Sequence, residues 1–281
     1  MIALLLGACT VVLVDIPCED TATSRWSAIS AGGLHSCGLD LDGNARCWGR
    51  TVEGQDDPPE GTFSAIASGY QFSCAVDADG NPSCWGDGDE GQAAPPLPLA
   101  AMALGGAHGC GVGLTGLASC WGANDFGQTS LDGAPAIAIA AGSLDSCRLD
   151  AAGIPHCALG TPALGAVPDT ALLALVLGLT GACGLTADGA LVWWGVGDAA
   201  WPPAGALVYT DVAAGADFAC ALDSDGQVSC WGNDEVGQAS PPSGRFVALD
   251  ADANGRHACA LADDATATCW GLDTEGQIDV P

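Results

Sequence analysis

One thirteen-residue segment recurs along the chain at a nearly constant interval. Its first copy is CGLDLDGNARCWG, residues 37–49, and six further copies begin at later cysteines. The seven leading cysteines are spaced by 36 to 39 residues: Cys37, Cys74, Cys110, Cys147, Cys183, Cys220 and Cys259. A period of that length indicates one supersecondary unit that is stacked repeatedly, since a single unit cannot bury its own apolar face.

The repeated segment has the pattern of a β-hairpin. A glycine stands six positions after the leading cysteine in six copies, and Ala265 replaces it in the seventh. A three-residue loop closed by a left-handed glycine fits that position. In this register Cys37 faces Cys47, and Trp48 faces the small residue Ser36, which leaves room for an indole. The repeat therefore predicts buried structural tryptophans at Trp48, Trp85, Trp121, Trp194, Trp231 and Trp270.

Further signals surround each hairpin. A small-apolar strand and then a glycine precede the leading cysteine by about five residues, and Asn254 takes the place of that glycine in the seventh unit. After glycine, asparagine is the residue type that best tolerates a left-handed backbone. The pattern therefore predicts a left-handed backbone at this repeat position. Five units end in a Gly-Gln turn followed by a connector, often rich in proline. No segment combines helical periodicity with caps, so the chain is predicted to be all-β.

Seven short-strand units predict a seven-bladed β-propeller over residues 25–281, built from seven repeats of about 37 residues. The chain stops in mid-unit, just after Gly276-Gln277, while an opening strand lies at residues 25–32. We therefore expect the N- and C-terminal segments to pair and close the ring. In detail, residues 25–32 should join the blade that holds Cys259 to Trp270.

Fifteen cysteines occur in the chain, and twelve of them form six pairs ten residues apart. The pairs are Cys37 with Cys47, Cys74 with Cys84, Cys110 with Cys120, Cys147 with Cys157, Cys220 with Cys230 and Cys259 with Cys269. Facing positions favour cross-strand disulfides, which persist in exported proteins. The alternative is small buried thiols in a reduced protein. Trp193 replaces the second cysteine of the fifth unit, so Cys183 has no local partner, and Cys18 lies outside the repeats.

The first residues resemble an export signal. Leu6-Gly7-Ala8-Cys9 has the form of a lipoprotein cleavage site, although the usual positive residues are missing. This interpretation divides the chain into a signal remnant at 1–9 with a lipidated Cys9, a tether at 10–24 and the propeller. It predicts an exported protein, either lipid-anchored in the cell envelope or extracellular. The alternative is a hydrophobic N-terminal strand.

The chain carries 34 acidic residues against six arginines and no lysine, a net charge of −28. That charge repels nucleic acid and anionic membrane surfaces and favours a basic protein partner or divalent counter-ions, so membrane contact is expected only through the lipid anchor. Acidic residues without evident counter-charges recur in the turns near Gly-Gln. We call this set the acidic rim, a candidate binding surface whose alternative is a solvated edge: Asp87, Asp89, Glu90, Asp125, Asp234, Glu235, Asp273 and Glu275.

Other polar patterns favour structure over chemistry. His35, His108 and His257 occupy one repeat position and are interpreted as structural. Segments such as Asp40–Asn44 resemble fragments of calcium loops, but they lack the late glycine and the closing glutamate, and hairpin turns explain them. No catalytic residue is expected, because no nucleophile stands with a base. No metal site or cofactor is expected either, since the cysteine pairs lack the close C-x-x-C spacing of zinc sites. A cluster of perturbed carboxylates in an axial pocket would instead favour an enzyme.

Residues 29–39, ISAGGLHSCGL, resemble the repeat signature of the regulator of chromosome condensation family. The CWG and Gly-Gln motifs resemble its bacterial, cysteine-rich branch, and the resemblance covers residues 25–281. It implies a seven-bladed propeller. The eukaryotic namesake is a nucleotide exchange factor for a small GTPase and binds chromatin, and relatives include a secreted β-lactamase inhibitor. The even spacing here leaves no room for the inserted β-wedge of the exchange factor, and the charge opposes chromatin.

These observations lead to one functional interpretation. The chain is expected to be an exported, lipid-anchored, monomeric propeller that acts as a protein-binding or structural module on a bacterial surface, and not an enzyme. The alternative is a regulator or inhibitor of an enzyme, including exchange-like regulation by analogy with the family. Fold analogy does not name the partner.

Overall fold

The computed structural model describes residues 24–96, 98–160, 162–195 and 207–281. Its regular structure consists of antiparallel strands grouped in threes, and a short 3-10 helix spans Pro162–Leu164. The seven groups, blades 1 to 7, are β1 (Trp26–Ala31), β2 (His35–Asp40) and β3 (Ala45–Gly49); β4 (Ala65–Ser68), β5 (Phe72–Val76) and β6 (Pro82–Gly86); β7 (Leu99–Leu104), β8 (His108–Gly113) and β9 (Ala118–Gly122); β10 (Ala138–Ala141), β11 (Asp145–Leu149) and β12 (Pro155–Leu159); β13 (Ala174–Leu177), β14 (Gly181–Leu185) and β15 (Leu191–Gly195); β16 (Tyr209–Ala214), β17 (Phe218–Asp223) and β18 (Val228–Gly232); and β19 (Phe246–Ala251), β20 (His257–Ala262) and β21 (Ala267–Gly271). The predicted all-β, seven-bladed architecture is confirmed.

The burial of the three strands explains the repeat. The middle strand of each blade is almost wholly buried, while the first strands line a central cavity along the axis. The small residues of the middle strand leave room for the tryptophan on the third strand of the same blade. A Cβ on Gly109, for example, would lie 2.4 Å from the Trp121 indole, so only a small residue fits opposite the tryptophan.

The predicted hairpin register is observed: Cys37 faces Cys47, and Ser36 faces Trp48. The glycine that ends the loop has positive φ, as at Gly43 with 84°, and Ala265 adopts the same conformation with φ of 68°. A left-handed backbone is strained for alanine but not for glycine. The seventh hairpin therefore keeps the common turn at a local cost.

Replacing Ala265 by Gly should raise the free energy of unfolding by about 1 kcal/mol, because glycine adopts positive φ without strain. Chemical denaturation of the oxidised protein measures the change. Ala152→Gly is the matched control, since Ala152 lies in the equivalent hairpin of blade 4 without positive φ and should lose a few tenths of a kcal/mol. Equal changes in the two variants would contradict the explanation.

The glycine before the second strand has a different role from the one expected. Gly32, Gly69 and Gly105 do not adopt positive φ. Instead, a Cβ on Gly32 would lie 2.7 Å from the carbonyl oxygen of Gly69 in the next blade, and a Cβ on Gly69 would lie 2.7 Å from Gly105 O. In blade 7 the equivalent residue is Gly255, whose Cβ would lie 2.7 Å from Gly32 O. The expectation for Asn254 was wrong, because close approach between blades sets the requirement for glycine.

The ends of the chain meet, but residues 25–32 do not join blade 7 as a strand. That expectation was wrong, since β1 pairs with β2 of its own blade, from Trp26 opposite Asp40 to Ala31 opposite Ser36. Closure comes from hydrogen bonds and packing between blades 1 and 7. Trp26 N donates to Ala265 O at 2.8 Å, and the indole of Trp48 donates to Gln277 O at 2.9 Å. Trp26 and Trp48 also pack with the buried side chains of blade 7.

Six disulfides link the second and third strands of six blades, and each joins two cysteines ten residues apart, as the register predicts. They join Cys37 with Cys47, Cys74 with Cys84, Cys110 with Cys120, Cys147 with Cys157, Cys220 with Cys230 and Cys259 with Cys269. The leading cysteine of each pair is fully buried on the middle strand. The third strand lies towards the outside of its blade, so Cys84, Cys157 and Cys230 on that strand are only half-buried. Cys269 is the exception and is buried.

Cys183 is a free, buried thiol opposite Trp193, and burial raises its pKa to about 12. Such a thiol is inert at neutral pH, because the thiolate is the reactive form. Cys9, Cys18, the signal remnant 1–9 and nearly all of the tether 10–24 lie outside the described residues.

Candidate functional site

The Gly-Gln turns lie at one end of the propeller. The loop after the third strand begins beside the turn between the first two strands, as shown by hydrogen bonds from Arg50 N to Leu34 O at 3.0 Å and from Asp87 N to Gln71 O at 2.9 Å. Both kinds of loop therefore share one end, which we call the turn face. The hairpins between second and third strands form the opposite end, the hairpin face.

Each Gly-Gln turn is held rigidly by its glutamine, a role that the sequence analysis missed. The glutamines are almost fully buried, and the side-chain oxygen of each accepts a hydrogen bond from the backbone N–H two residues earlier, as from Glu90 to Gln92 at 2.8 Å. In four of the five turns the backbone carbonyl of the same glutamine accepts the indole N–H of the next blade; after Gln128 that blade has Ala158 in place of the tryptophan. These indole bonds join Trp85 to Gln55, Trp121 to Gln92, Trp270 to Gln238 and Trp48 to Gln277. The recurrence of CWG together with Gly-Gln was the available signal.

The acidic rim lies on these rigid turns, but its members differ in their surroundings. Asp87 accepts Asp89 N, and Asp234 accepts Ala239 N and the Ser240 hydroxyl. Four exposed members of the rim have carboxylates that form no ion pair or hydrogen bond with any described residue: Asp89, Glu90, Asp125 and Asp273.

Two arginines partly neutralise the rim, so the expectation of acidic turns without counter-charges was wrong. Arg256 lies 3.2 Å from Glu235 and 3.6 Å from Asp217. Arg50 bridges Glu53 at 3.0 Å and Glu275 at 3.9 Å. The hydrogen bond from Arg50 lowers the pKa of Glu53. Among the rim members, six carboxylates therefore have no cationic partner in the described residues: Asp87, Asp89, Glu90, Asp125, Asp234 and Asp273.

The hairpin face is acidic as well. There the first aspartate of each Asp-x-Asp-Gly segment caps its own turn, as Asp77 does by accepting Asp79 N at 2.9 Å and Asn81 N at 2.8 Å. The hydrogen bond from the Asn81 side chain lowers the pKa of Asp77. These contacts are hairpin turn chemistry. Four further aspartates on this face are exposed and do not cap a turn: Asp42, Asp79, Asp225 and Asp263.

The three repeated histidines do not converge. Each is fully buried, and its Nε2 is hydrogen-bonded to a serine of the following blade: His35 to Ser73 at 2.7 Å, His108 to Ser146 at 2.8 Å and His257 to Ser36 at 2.8 Å. Burial lowers the pKa of His108 and of His257 to about 4. Neutral imidazoles therefore link adjacent blades near neutral pH. Within the described ranges, no group of three or more acidic, His or Cys side chains is arranged to hold a metal.

Two acidic residues at the axis were missed by the sequence analysis. Asp250 and Asp252, at the end of β19, line the central cavity. Loss of hydration raises the pKa of Asp250 to about 6 and that of Asp252 to about 8. The available signals were the 39-residue spacing of the seventh unit and acidic residues where other units have small apolar ones. Among the described cavity residues no histidine, cysteine or base–nucleophile pair accompanies them.

Three of the repeat units match a known family. Residues 26–55, 63–92 and 209–238 match the model of the regulator of chromosome condensation (RCC1) repeat. A search of curated proteins by sequence found no match.

Solved structures show the same fold. The ectodomain of the receptor kinase CR4 from Physcomitrella patens is 24% identical over 88% of this chain and 74% of its own, with a TM-score of 0.75. The CRINKLY WD40 ectodomain of the Arabidopsis thaliana receptor kinase ACR4 is 22% identical over 92% of this chain and 99% of its own, with a TM-score of 0.74. Prp20p from Saccharomyces cerevisiae is 15% identical over 89% and 72%, with a TM-score of 0.50. The chain is therefore a seven-bladed propeller that carries regulator of chromosome condensation (RCC1) repeats.

Proposed function

We propose that this propeller is an exported protein-binding module, anchored at a bacterial surface through a lipid on Cys9, and that a basic partner protein contacts its turn face. In this proposal the chain is monomeric and binds without catalysing a reaction. The observation that carries it is the set of exposed carboxylates on turns held rigid by buried glutamines. A rigid surface loses little conformational entropy when a partner binds.

The disulfides support an oxidising setting. Six bridges in one chain are typical of secreted proteins and cell-surface proteins, because reducing systems keep cytosolic thiols free. The two plant propellers with the same fold are ectodomains of receptor kinases. In the described part of the chain, no helix has the length and apolar character needed to cross a membrane.

The charge supports a basic protein as the partner. Asp89, Glu90, Asp125 and Asp273 point to solvent without a counter-charge among the described residues. Complementary charge speeds association more than it raises affinity, and exposed charges are screened beyond about 8–10 Å at physiological ionic strength. Binding through the turn face should therefore weaken as salt rises.

The test compares two variants with the same change in net charge. The rim variant carries Asp89→Asn, Glu90→Gln, Asp125→Asn and Asp273→Asn. The hairpin variant carries Asp42→Asn, Asp79→Asn, Asp225→Asn and Asp263→Asn at the opposite end. Each protein is used to capture partners from cell-envelope extracts at low and high salt.

We expect the wild type and the hairpin variant to retain the same basic protein at low salt, with about tenfold less on the rim variant and at high salt. Equal loss in both variants would show that net charge alone attracts the partner. Equal retention in both would place the binding surface elsewhere. If the captured partner is an enzyme whose activity changes on binding, the module acts as a regulator or inhibitor.

A further inference from the structure

A cavity of about 290 Å³ lies on the axis of the propeller. The first strands of all seven blades contribute to its wall, and many of the lining residues are only half-buried, so solvent reaches it. Most of the wall is aliphatic and includes Ile29, Ile66, Met102, Ile139, Val176 and Leu177. A concave apolar site with a few placed polar groups is typical of small-molecule binding.

The polar groups are confined to one side, where blades 7, 1 and 2 meet. Asp250 is held in place there, since its Oδ2 accepts Ala31 N at 2.9 Å. Ser30 and Ser68 add hydroxyl groups to the same side of the wall. The first strands of blades 1 to 5 present no charged side chain to the cavity within the described residues.

Asp252 is the unusual group at this site. Its side chain is 3% exposed, its Oδ1 accepts Asn254 N at 2.9 Å, and its Oδ2 has no hydrogen-bond partner among the described residues. An unsatisfied buried oxygen destabilises the folded protein, and more so when it is charged. A ligand that donates a hydrogen bond to this oxygen would recover that energy.

The turn that carries Asp252 is peculiar to blade 7. It spans residues 252–256, two more than the equivalent turn at 32–34 of blade 1. The longer turn reaches across the axis: Asn254 Nδ2 lies 3.7 Å from the position of a Cβ on Gly106, in blade 3. Asn254 Nδ2 forms no hydrogen bond of normal geometry, although the Asn254 side chain acts on the Asp252 carboxyl and opposes the rise of its pKa. The turn therefore brings blade 7 close to blade 3, and its first residue, Asp252, belongs to the wall of the cavity.

From this arrangement we propose that the axial cavity binds a small organic cation, an alkylammonium ion whose N–H group donates to Asp252 and whose alkyl chain lies against the aliphatic wall. The net charge of −28 enriches cations around the protein. Asp250 adds a second carboxyl near the ammonium group. This site is separate from the acidic rim and does not depend on a protein partner.

Protonation provides a specific signature. Burial raises the pKa of Asp252 to about 8, so its carboxyl is largely protonated at pH 7 in the free protein. The charged groups near it are the carboxyl of Asp250, two residues earlier on β19, and, beside Asp250, that of Asp211 on β16. An ammonium ion favours the carboxylate, so binding at pH 7 should release about one proton per ligand, and binding near pH 9 should release fewer.

Calorimetry with hexylammonium chloride tests the proposal, with hexan-1-ol and sodium hexanoate as probes of the same length. Titrations in two buffers of different ionisation enthalpy count the released protons. We expect saturable binding of one hexylammonium ion with proton release at pH 7, and binding of the alcohol and the carboxylate at least about tenfold weaker. Absence of saturation, absence of proton release at pH 7, or equally tight binding of hexan-1-ol would overturn the proposal.

Three variants locate the site. Asp252→Asn keeps the shape of the side chain and should weaken hexylammonium binding at least about tenfold, whereas Asp263→Asn, an exposed change in the same blade, should stay within about twofold. Ile139→Trp fills the cavity without touching the carboxyls and should abolish binding. If Asp252→Asn does not fold, Ile139→Trp still tests whether the cavity is the binding site. The rim variant should bind hexylammonium normally, which separates this test from that of the turn face. Unchanged affinity in Ile139→Trp, or in a folded Asp252→Asn, would contradict the proposed site.

Discussion

Reduction of the six disulfides should unfold the propeller at room temperature. Each bridge closes a short loop between residues ten positions apart and contributes about 2–3 kcal/mol in the chain-entropy account. Six such contributions amount to roughly 15 kcal/mol, which is comparable to the total stability of typical domains, about 5–15 kcal/mol. Denaturation curves with and without a phosphine reductant, followed by circular dichroism and tryptophan fluorescence, measure the effect.

Two variants make this result specific. Replacing Cys110 and Cys120 together by Ala should lower the free energy of unfolding by about 2–3 kcal/mol in the absence of reductant. Cys183→Ala forms the control, because Cys183 is buried but unbridged, so the effect of reductant should match that in the wild type. A reduced protein that melts within a few degrees of the oxidised one would show that the cysteines act as small buried side chains.

Replacing Trp121 by Ala should lower the free energy of unfolding by about 3–5 kcal/mol, the usual cost of removing a buried aromatic side chain. Trp121 is 7% exposed, and its indole donates to Gln92 O of the preceding blade at 2.7 Å. The substitution therefore leaves a cavity between blades and an unpaired carbonyl. Chemical denaturation of the oxidised protein gives the value.

Trp121→Phe separates the two contributions, since it preserves most of the volume and removes the hydrogen bond. It should cost less than Trp121→Ala, about 1–3 kcal/mol. Trp231→Ala provides a comparison at the same repeat position. Trp231 is only half-buried, contrary to the expectation from the repeat, and its ring packs edge-on against Tyr209 at 5.9 Å. A loss below about 1 kcal/mol in Trp121→Ala would show that the indole does not hold the blades together.

The periodicity of the sequence was sufficient for the local structure of each blade. Side chains alternate across a strand with a period of two, so the loop length and the hairpin glycine together determine which residues face each other. For that reason Cys37 opposite Cys47 and Trp48 opposite Ser36 could be predicted without coordinates. The same reasoning identified Ala265 as the exception, and its backbone adopts the conformation of the glycine that it replaces.

Contacts between units could not be predicted in the same way, because a repeat describes one unit and not its neighbour. The glycine at Gly32 was attributed to backbone conformation, whereas its cause is the carbonyl of Gly69 in the next blade. The counter-charges Arg50 and Arg256 were likewise overlooked. Arg256 pairs with Glu235, a partner that becomes adjacent only when blade 6 packs beside blade 7.

The sequence by itself determined the number of blades, the strand pairing within each blade, the cysteine pairs and the acidic character of the surface, because each follows from spacing and composition within one unit. The tertiary structure alone decided how the ends of the chain close the ring, which rim carboxylates remain uncompensated, and that Asp250 and Asp252 share an axial cavity. Those features arise where seven separate strands converge on one axis. Residues far apart in the chain become neighbours there, and burial changes the protonation of the two carboxyls.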